Sequence, residues 1–158
     1  MIDAIVFDMD GTIADLYGVD DWLSKLRGED PSPYLEAAPL TDLEELYSVL
    51  DRYTLNGIKI IISSWCSKEA TEEYNKQVRK AKRAWLKNHN FPYDEIHIVK
   101  YGTPKSKTVK KTLGEQVLVD DDSMVRKEWK HGRTINPTTQ DICNELIKIL
   151  SEVTATAL

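Results

Sequence analysis

The sequence near the start of the chain runs from four apolar residues directly into acids. Residues 4–18 read AIVFDMDGTIADLYG, in which the run at 4–7 is followed by Asp8, Asp10 and Gly11. A short, fully apolar and partly β-branched run is typical of a strand buried on both faces of a parallel sheet. Acidic side chains are seldom buried unless they are paired or bind a cation. The segment therefore predicts a buried strand that ends in a polar site.

Further apolar runs predict the other strands, and helical patterns separate them. The predicted strands span residues 58–62, 96–99, 117–119 and 133–135. The predicted helices span residues 41–53, 67–88, 106–113, 123–130 and 139–150. Strands that alternate with helices favour a parallel sheet with right-handed crossovers. We predict the α/β class, with helices on both faces of a central parallel sheet in a Rossmann-like three-layer sandwich.

Polar residues mark the predicted starts of three helices. Thr41 and Glu44 have the spacing of a capping box. Ser67 precedes acids that suit the positive end of a helix dipole. Ser106 has the character of an N-cap before the next helical segment. We therefore predict that these helices begin at Thr41, Ser67 and Ser106.

The length of the chain suits one domain with an insertion. The sequence has 158 residues, enough for a single hydrophobic core. Residues 15–39 interrupt the alternation with several Gly and Pro and a short helical piece near 19–26. We interpret them as a small insertion after the first strand, inside a domain of residues 1–150. Residues 151–158 are predicted to be a tail that frays.

The composition excludes several classes of function. A net charge of −5 and a pI near 5.3 exclude a basic field over the whole protein, although a local basic patch is still possible. No apolar run reaches the roughly 18 residues of a membrane span, and Asp3 interrupts any signal-peptide pattern. The two cysteines, Cys66 and Cys143, predict reduced thiols in the cytoplasm, and no Cys/His spacing indicates zinc.

Polar residues also follow the later strands, where ligands bind in open parallel sheets. Ser63 and Ser64 follow the second strand, a YGTPKSK segment with Lys105 follows the third, and Asp120 begins an acidic run after the fourth. Clustered carboxylates repel one another unless a cation neutralises them, and hard oxygen ligands favour Mg²⁺, which commonly brings a phosphate. A lysine and a hydroxyl beside them suit a transferring phosphoryl group.

These motifs and their order resemble the haloacid dehalogenase superfamily of phosphotransferases. The resemblance lies in DMDGT after the first strand, a Ser after IKIII, a Lys in TPKSK, and VLVDDD. Together the motifs span residues 4–122, about three quarters of the chain. The resemblance implies the fold of that superfamily with residues 15–39 as a small cap. It also implies a Mg²⁺-dependent phosphomonoester hydrolase, because Asp10 is the acid of the phosphatase branch.

The resemblance implies a role for each acid. Asp8 is the candidate nucleophile that forms an aspartyl-phosphate, and Asp10 is the candidate general acid and base. Mg²⁺ would be bound by the Asp8 carboxylate, the Asp10 backbone carbonyl and Asp120, with Asp121 in contact with the ion or its waters. Asp122 offers a second register for this motif, although helix capping is the better interpretation of that residue.

Two serines and two lysines are alternative candidates for binding the phosphate. Ser63 would donate to the phosphoryl oxygens, with Ser64 as the alternative if the strand ends one residue later. Lys105 would balance the charge of the phosphate and of the nucleophile, and Lys107 is the alternative candidate for this role. A strand-ending serine and a solvated loop lysine are the structural alternatives to these roles.

The substrate is predicted to be a nucleotide or a nucleic-acid phosphate end, with no membrane and no obligate protein partner. Tyr17, Trp22, Tyr34 and Trp65 could stack on bases near the phosphate. The alternative is that Trp22, with Leu23 and Leu26, forms a small core of the cap. The basic residues Lys80, Arg83 and Lys87 share a helix face that could touch a phosphate backbone or only be solvated.

Two other functions use similar residues. A receiver-like phospho-acceptor domain also combines acids, a hydroxyl and a lysine, but its acceptor lies on the third strand. A catalytically inactive phosphate-binding module on the same fold is the second alternative. A thiol phosphatase is excluded because Glu72, and not an arginine, stands six residues after Cys66.

Overall fold

The computed structural model describes residues 1–156 and has a five-stranded parallel sheet at its centre. Four helices flank the sheet, while two short strands pair separately with two short helices beside them. In chain order the elements are β1 (Ile2–Phe7), β2 (Ala14–Asp15), a 3₁₀ turn (Leu16–Gly18), α1 (Trp22–Arg27), α2 (Ser32–Glu36), β3 (Ala38–Pro39), α3 (Leu43–Leu55), β4 (Lys59–Trp65), α4 (Glu72–Asn88), β5 (Glu95–Val99), α5 (Lys105–Thr108), β6 (Glu115–Val119), α6 (Ser123–Glu128), β7 (Thr134–Ile135) and α7 (Ile142–Thr156).

The order of strands in the sheet is β5-β4-β1-β6-β7, and every pair is parallel. Successive side chains of each strand face opposite sides, so both faces of the sheet need a cover. One face packs against α3, α4 and α7 through residues such as Leu50, Trp85 and Leu146. The other face packs against α6 and the loop after it through Val125 and Trp129. The predicted three-layer α/β fold is confirmed.

The helix starts differ from the predicted ones. Asp42, and not Thr41, caps α3, because its carboxylate accepts from Glu45 N at 3.2 Å. Thr71 caps α4 by accepting from Tyr74 N at 3.1 Å. The prediction of Ser67 as a cap is wrong, since Ser67 is buried in a loop and shares a hydrogen bond with the Tyr34 hydroxyl.

The prediction for Ser106 is also wrong. Helix α5 begins one residue earlier, at Lys105, and Pro104 precedes it. The Ser106 hydroxyl accepts instead from Lys130 N at 2.9 Å, which connects the start of this short helix to the loop after α6.

The segment between β1 and α3 packs against α4. Strands β2 and β3 pair antiparallel at its base, and Leu16 and Tyr34 share an apolar cluster with Val78 of α4. Trp22 and Leu26 pack at the edge of the same cluster, whereas Leu23 is 42% exposed. The apolar residues of the insertion therefore cover α4 and do not form a separate core.

Helix α7 is longer than the predicted segment, since it continues through Thr156. Part of the predicted tail is thus helical, and residues 157–158 lie outside the described residues. Among residues 1–156, no helix has the length and apolar character needed to cross a membrane.

Candidate active site

A buried lysine joins two acids at the carboxyl edge of the sheet. Asp8 follows β1, Asp120 follows the neighbouring strand β6, and both are buried. The Nζ of Lys105 donates to Asp8 Oδ1 at 2.7 Å and to Asp120 Oδ2 at 2.5 Å. Burial alone would lower the pKa of Lys105, but the two carboxylates outweigh it and raise that pKa. Lys107 is exposed, so Lys105 is the lysine that meets the acids.

The topology explains why these residues meet. Strand β1 lies between β4 and β6, so the ends of these three strands are adjacent. The backbone pairing continues past the strands, since Asp8 N donates to Val119 O at 3.0 Å. Residues about a hundred positions apart in the chain are thereby placed on one edge, where open parallel sheets bind their ligands.

Three carboxylates lie close enough to share a cation. Asp8, Asp120 and Asp121 each offer an oxygen, and these oxygens lie within 4.8 Å of one another. The Thr12 hydroxyl joins them, at 3.2 Å from Asp8 Oδ2 and 3.3 Å from Asp121 Oδ1. A cluster of hard oxygen ligands fits Mg²⁺. The participation of the Asp10 backbone carbonyl stays a prediction.

The two acids after β6 have strongly shifted pKa values. Burial, and then the charge of Asp8, raises the pKa of Asp120 to about 7. Burial and the charges of Asp8 and Asp120 raise the pKa of Asp121 to about 7. Each ionised carboxylate therefore makes ionisation of its neighbours less favourable. A bound cation would offset this repulsion.

Asp122 lies apart from this cluster. Its carboxylate accepts from Met124 N at 2.8 Å and from Val125 N at 3.2 Å, and it caps helix α6. The register of the acidic run therefore assigns the first two aspartates to the cluster and the third to the helix.

Gly11 allows the backbone to turn beside these acids. Its φ is +75°, a conformation that residues with a Cβ rarely adopt. A Cβ at this position would lie 2.3 Å from Asp121 Oδ2. The glycine therefore serves both the turn and the approach of the Asp121 carboxylate.

A second lysine holds Asp10. Lys82 of α4 is fully buried, and its Nζ donates to Asp10 Oδ2, to Ser64 Oγ and to Trp65 O, each at 2.7 Å. Burial raises the pKa of Asp10, the Lys82 charge opposes that shift, and the Asp8 charge adds to it.

Sequence reasoning missed Lys82, although the pattern contained a signal. Lys82 stands four residues after Val78 and three before Trp85, both fully buried on α4. A lysine on the apolar stripe of a helix is buried with it and needs an acidic partner.

The two serines of β4 face opposite ways. Ser63 Oγ lies 3.3 Å from Thr108 Oγ1, whereas Ser64 Oγ accepts from Lys82. Alternation along the strand places only Ser63 on the face that carries Ile61, which packs with Val6. Both serines are fully buried, and neither lines the cavity described next. The role of phosphate donor stays a prediction for Ser63, while Ser64 contributes to the site of Lys82.

A cavity of about 550 Å³ opens over these acids. Its lining includes Asp8, Asp10, Lys105, Asp120 and Asp121. Tyr17 and Trp22 from the insertion form an edge-to-face pair with ring centroids 4.9 Å apart. Trp65 and Tyr101 form a tilted pair, also at 4.9 Å, and both pairs line the cavity.

Charged residues of both signs stand at the rim of the same cavity. Lys68 and Arg27 line it and are exposed, as are Glu29 and Glu69. The Lys68 Nζ lies 5.9 Å from the centre of the Tyr101 ring. The basic helix face of Lys80, Arg83 and Lys87 is exposed and takes no part in the lining.

Comparison with known proteins gives fold similarity only. No family model and no curated protein matches the sequence. Solved structures that match include a chain of a Pnkp1/Rnl/Hen1 complex and a chain of the Pnkp1/Rnl/Hen1 RNA repair complex. Each superposes with a TM-score of 0.56 and 18% identity over 85% of this chain, which covers 45% and 42% of those chains. The protein therefore shares an α/β fold with part of these chains and spans less than half of their length.

Proposed function

We propose that the protein is a Mg²⁺-dependent phosphomonoester hydrolase that acts through an aspartyl-phosphate on Asp8. The observation that carries this proposal is the buried contact of Lys105 with Asp8 and Asp120 at the base of an accessible cavity. A carboxylate that faces a cavity beside a fixed cation is suited to receive a negatively charged phosphoryl group.

The proposed reaction has two steps. In the first, a carboxylate oxygen of Asp8 attacks phosphorus, the bond to the leaving oxygen breaks, and Asp10 gives that oxygen its proton. In the second, water attacks phosphorus, Asp10 takes a proton from the water, and the bond to Asp8 breaks to release inorganic phosphate. Burial is the main cause that raises the pKa of Asp10 above its ordinary value, which is the direction that suits a general acid.

Asp8, Asp120 and Asp121 would hold Mg²⁺, as the spacing of their oxygens supports. The ion, when bound, supplies positive charge to the phosphoryl oxygens in the transition state. Lys105 contributes a second, fixed positive charge from the protein itself. The Thr12 hydroxyl lies within hydrogen-bond distance of two of the three carboxylates and can donate its proton to either one.

The proposed substrate is the phosphorylated end of a nucleic acid or a nucleotide. Two aromatic pairs line the cavity that holds Asp8, and aromatic rings stack on bases of any sequence. The two solved structures compared above come from complexes of Pnkp1, Rnl and Hen1, one of them described as an RNA repair complex. These observations favour a nucleic-acid end over a sugar phosphate.

The test is phosphate release from a panel of substrates. The panel contains p-nitrophenyl phosphate, 5′- and 3′-mononucleotides, oligonucleotides phosphorylated at either end, sugar phosphates and phosphopeptides, each with MgCl₂ or with EDTA. We expect Mg²⁺-dependent turnover with a preference for nucleotides or oligonucleotides. Asp8→Asn should lower kcat by at least about a thousandfold. Asp51→Asn, on an exposed site of α3, is the matched control.

Two outcomes would contradict the proposal. If the wild-type protein takes up one phosphoryl group from acetyl phosphate without turnover, it is a phospho-acceptor and not a hydrolase. If Asp8→Asn is as active as the wild type, the activity does not pass through Asp8.

A further inference from the structure

Lys82 is a buried cation next to the residue that moves the proton in the proposed reaction. Each of its three N–H bonds has an acceptor, namely Asp10 Oδ2, Ser64 Oγ and the Trp65 carbonyl. The Tyr34 ring covers its remaining side, with the Nζ 4.9 Å from the ring centre. The ammonium therefore has one fixed position in the protein.

This position also fixes the Asp10 carboxyl group. Lys82 binds Oδ2, while the Asp10 side chain is 20% exposed and lines the cavity. Oδ1 has no hydrogen-bond partner in the part of the chain that the structure describes, so it is the oxygen available to a substrate. The Ser64 and Trp65 contacts anchor this arrangement to the end of β4, and the helix supplies the lysine.

Stability alone does not explain a lysine at this site. A buried ion pair is often no more stabilising than apolar residues of similar volume. Lys82 lies on the stripe of α4 with Val78 and Trp85, where an apolar side chain would extend the existing core. The lysine instead gives a fixed partner to a carboxylate that faces the cavity.

We infer that Lys82 is a positioning residue, which holds the Asp10 carboxyl in the orientation needed to pass a proton to the leaving oxygen. The inference rests on the proposed function. It adds a residue from α4 to a site whose other members follow strands or begin α5. It also places the insertion in contact with the site, because Tyr34 belongs to α2.

The leaving group gives a readout specific to this role. An oligonucleotide leaves as an alkoxide, which needs the proton from Asp10 as the phosphorus–oxygen bond breaks. The p-nitrophenolate group leaves without that proton. Loss of the orientation of Asp10 should therefore slow the first step for the oligonucleotide much more than for p-nitrophenyl phosphate.

The experiment measures, in a single turnover, the rate at which each substrate releases its leaving group, for the wild type and for Lys82→Met. We expect the oligonucleotide rate to fall by about a hundredfold or more and the p-nitrophenyl phosphate rate to change less than about threefold. Lys82→Gln, which keeps a hydrogen-bond donor, should recover part of the loss and replaces Lys82→Met if that variant does not fold. Lys76→Met, at an exposed site of α4, is the matched control and should match the wild type.

A double-mutant cycle tests whether Lys82 acts through Asp10. If it does, Lys82→Met should add little to the loss that Asp10→Asn causes alone. Equal losses on both substrates, or additive losses in the double mutant, would overturn the inference and leave the proposed function intact. Absence of turnover by the wild type on every substrate would overturn the proposed function and the inference together.

Discussion

The charges of single residues set the chemical character of the site. Lys105 is the buried cation that pairs with Asp8 and Asp120, and Asp121 lies beside them, so the cluster has two more carboxylates than ammonium groups. Asp10 lies outside this count, because its carboxyl group pairs separately with Lys82. A divalent cation would balance the excess, which is the electrostatic argument for Mg²⁺ at these three acids.

Gly11→Ala tests the approach of Asp121 to the turn. The new Cβ would lie 2.3 Å from Asp121 Oδ2, so the carboxylate must move away from its neighbours. We expect weaker Mg²⁺ binding in a calorimetric titration and a large loss of phosphatase activity. Gly57→Ala is the control, because Gly57 has the same φ of +75° and a Cβ added there would have no neighbouring atom within 4 Å. Both variants should lose about 1 kcal/mol of stability from backbone strain, but only Gly11→Ala should lose Mg²⁺ affinity. Equal Mg²⁺ affinity in the two would contradict the geometry.

Tyr101→Ala tests the aromatic lining. Tyr101 is 44% exposed and its ring pairs with Trp65, so its loss removes stacking surface with little disturbance of the core. We expect KM for a phosphorylated oligonucleotide to rise about tenfold, as for the loss of one stacked base. The kinetics with glycerol phosphate, which has no ring, should stay within about twofold. Tyr93→Ala, at an exposed residue outside the cavity, is the control, and an equal rise there would contradict base stacking.

The residues that follow strands could be predicted, whereas the partner of Lys82 could not. Asp8, Asp120 and Lys105 stand where apolar runs end, and the parallel sheet brings such positions to one edge. Lys82 lies in the basic half of α4, and its partner Asp10 is 72 residues away. Helix periodicity places it on the buried face but contains no information about which acid it meets.

At the scale of helices and strands, apolar patterns were sufficient to predict the long elements. The residue at which a helix begins and the two-residue strands could not be predicted in this way. The sheet strands and α3, α4 and α7 follow from apolar periodicity. The cap of α3 depends on a choice between adjacent residues, Thr41 and Asp42, that both cap well. Strands β2 and β3 have two residues each and have no periodicity to read.

The cap of α3 gives a direct stability test. Asp42→Ala removes the carboxylate that accepts from Glu45 N, and we expect a loss of about 1 kcal/mol in the free energy of unfolding. Thr41→Ala is the matched control and should change that free energy by less than about 0.5 kcal/mol. Urea unfolding of both variants measures the difference. A larger loss for Thr41→Ala would favour the capping box that the sequence predicts.

At the scale of the whole molecule, the site depends on the packing of the insertion against α4. Trp85 is fully buried in the core, and its Nε1 donates to Ala37 O at 2.8 Å, just before β3. The Tyr34 ring meets Lys82 from the same segment. The insertion is therefore bonded to the helix that holds Asp10, and the sheet edge holds the other acids. Sequence motifs identify the edge, but this second attachment arises only from tertiary packing.

The acids of the site also predict how the stability of the whole protein depends on pH. Without divalent cations, Asp120 and Asp121 have pKa values of about 7 in the folded state, against about 4 when unfolded. Between these values the folded protein binds more protons, so its free energy of unfolding falls as pH rises. In EDTA we expect Tm to decrease from pH 5 to pH 8. The Tm of Asp121→Asn should decrease less steeply over this range than the Tm of Asp51→Asn, the exposed control. Added Mg²⁺ should raise Tm more at pH 8 than at pH 5, because the ion competes with protons for the same oxygens. An identical pH slope in the two variants would show that Asp121 does not hold its proton in the folded protein.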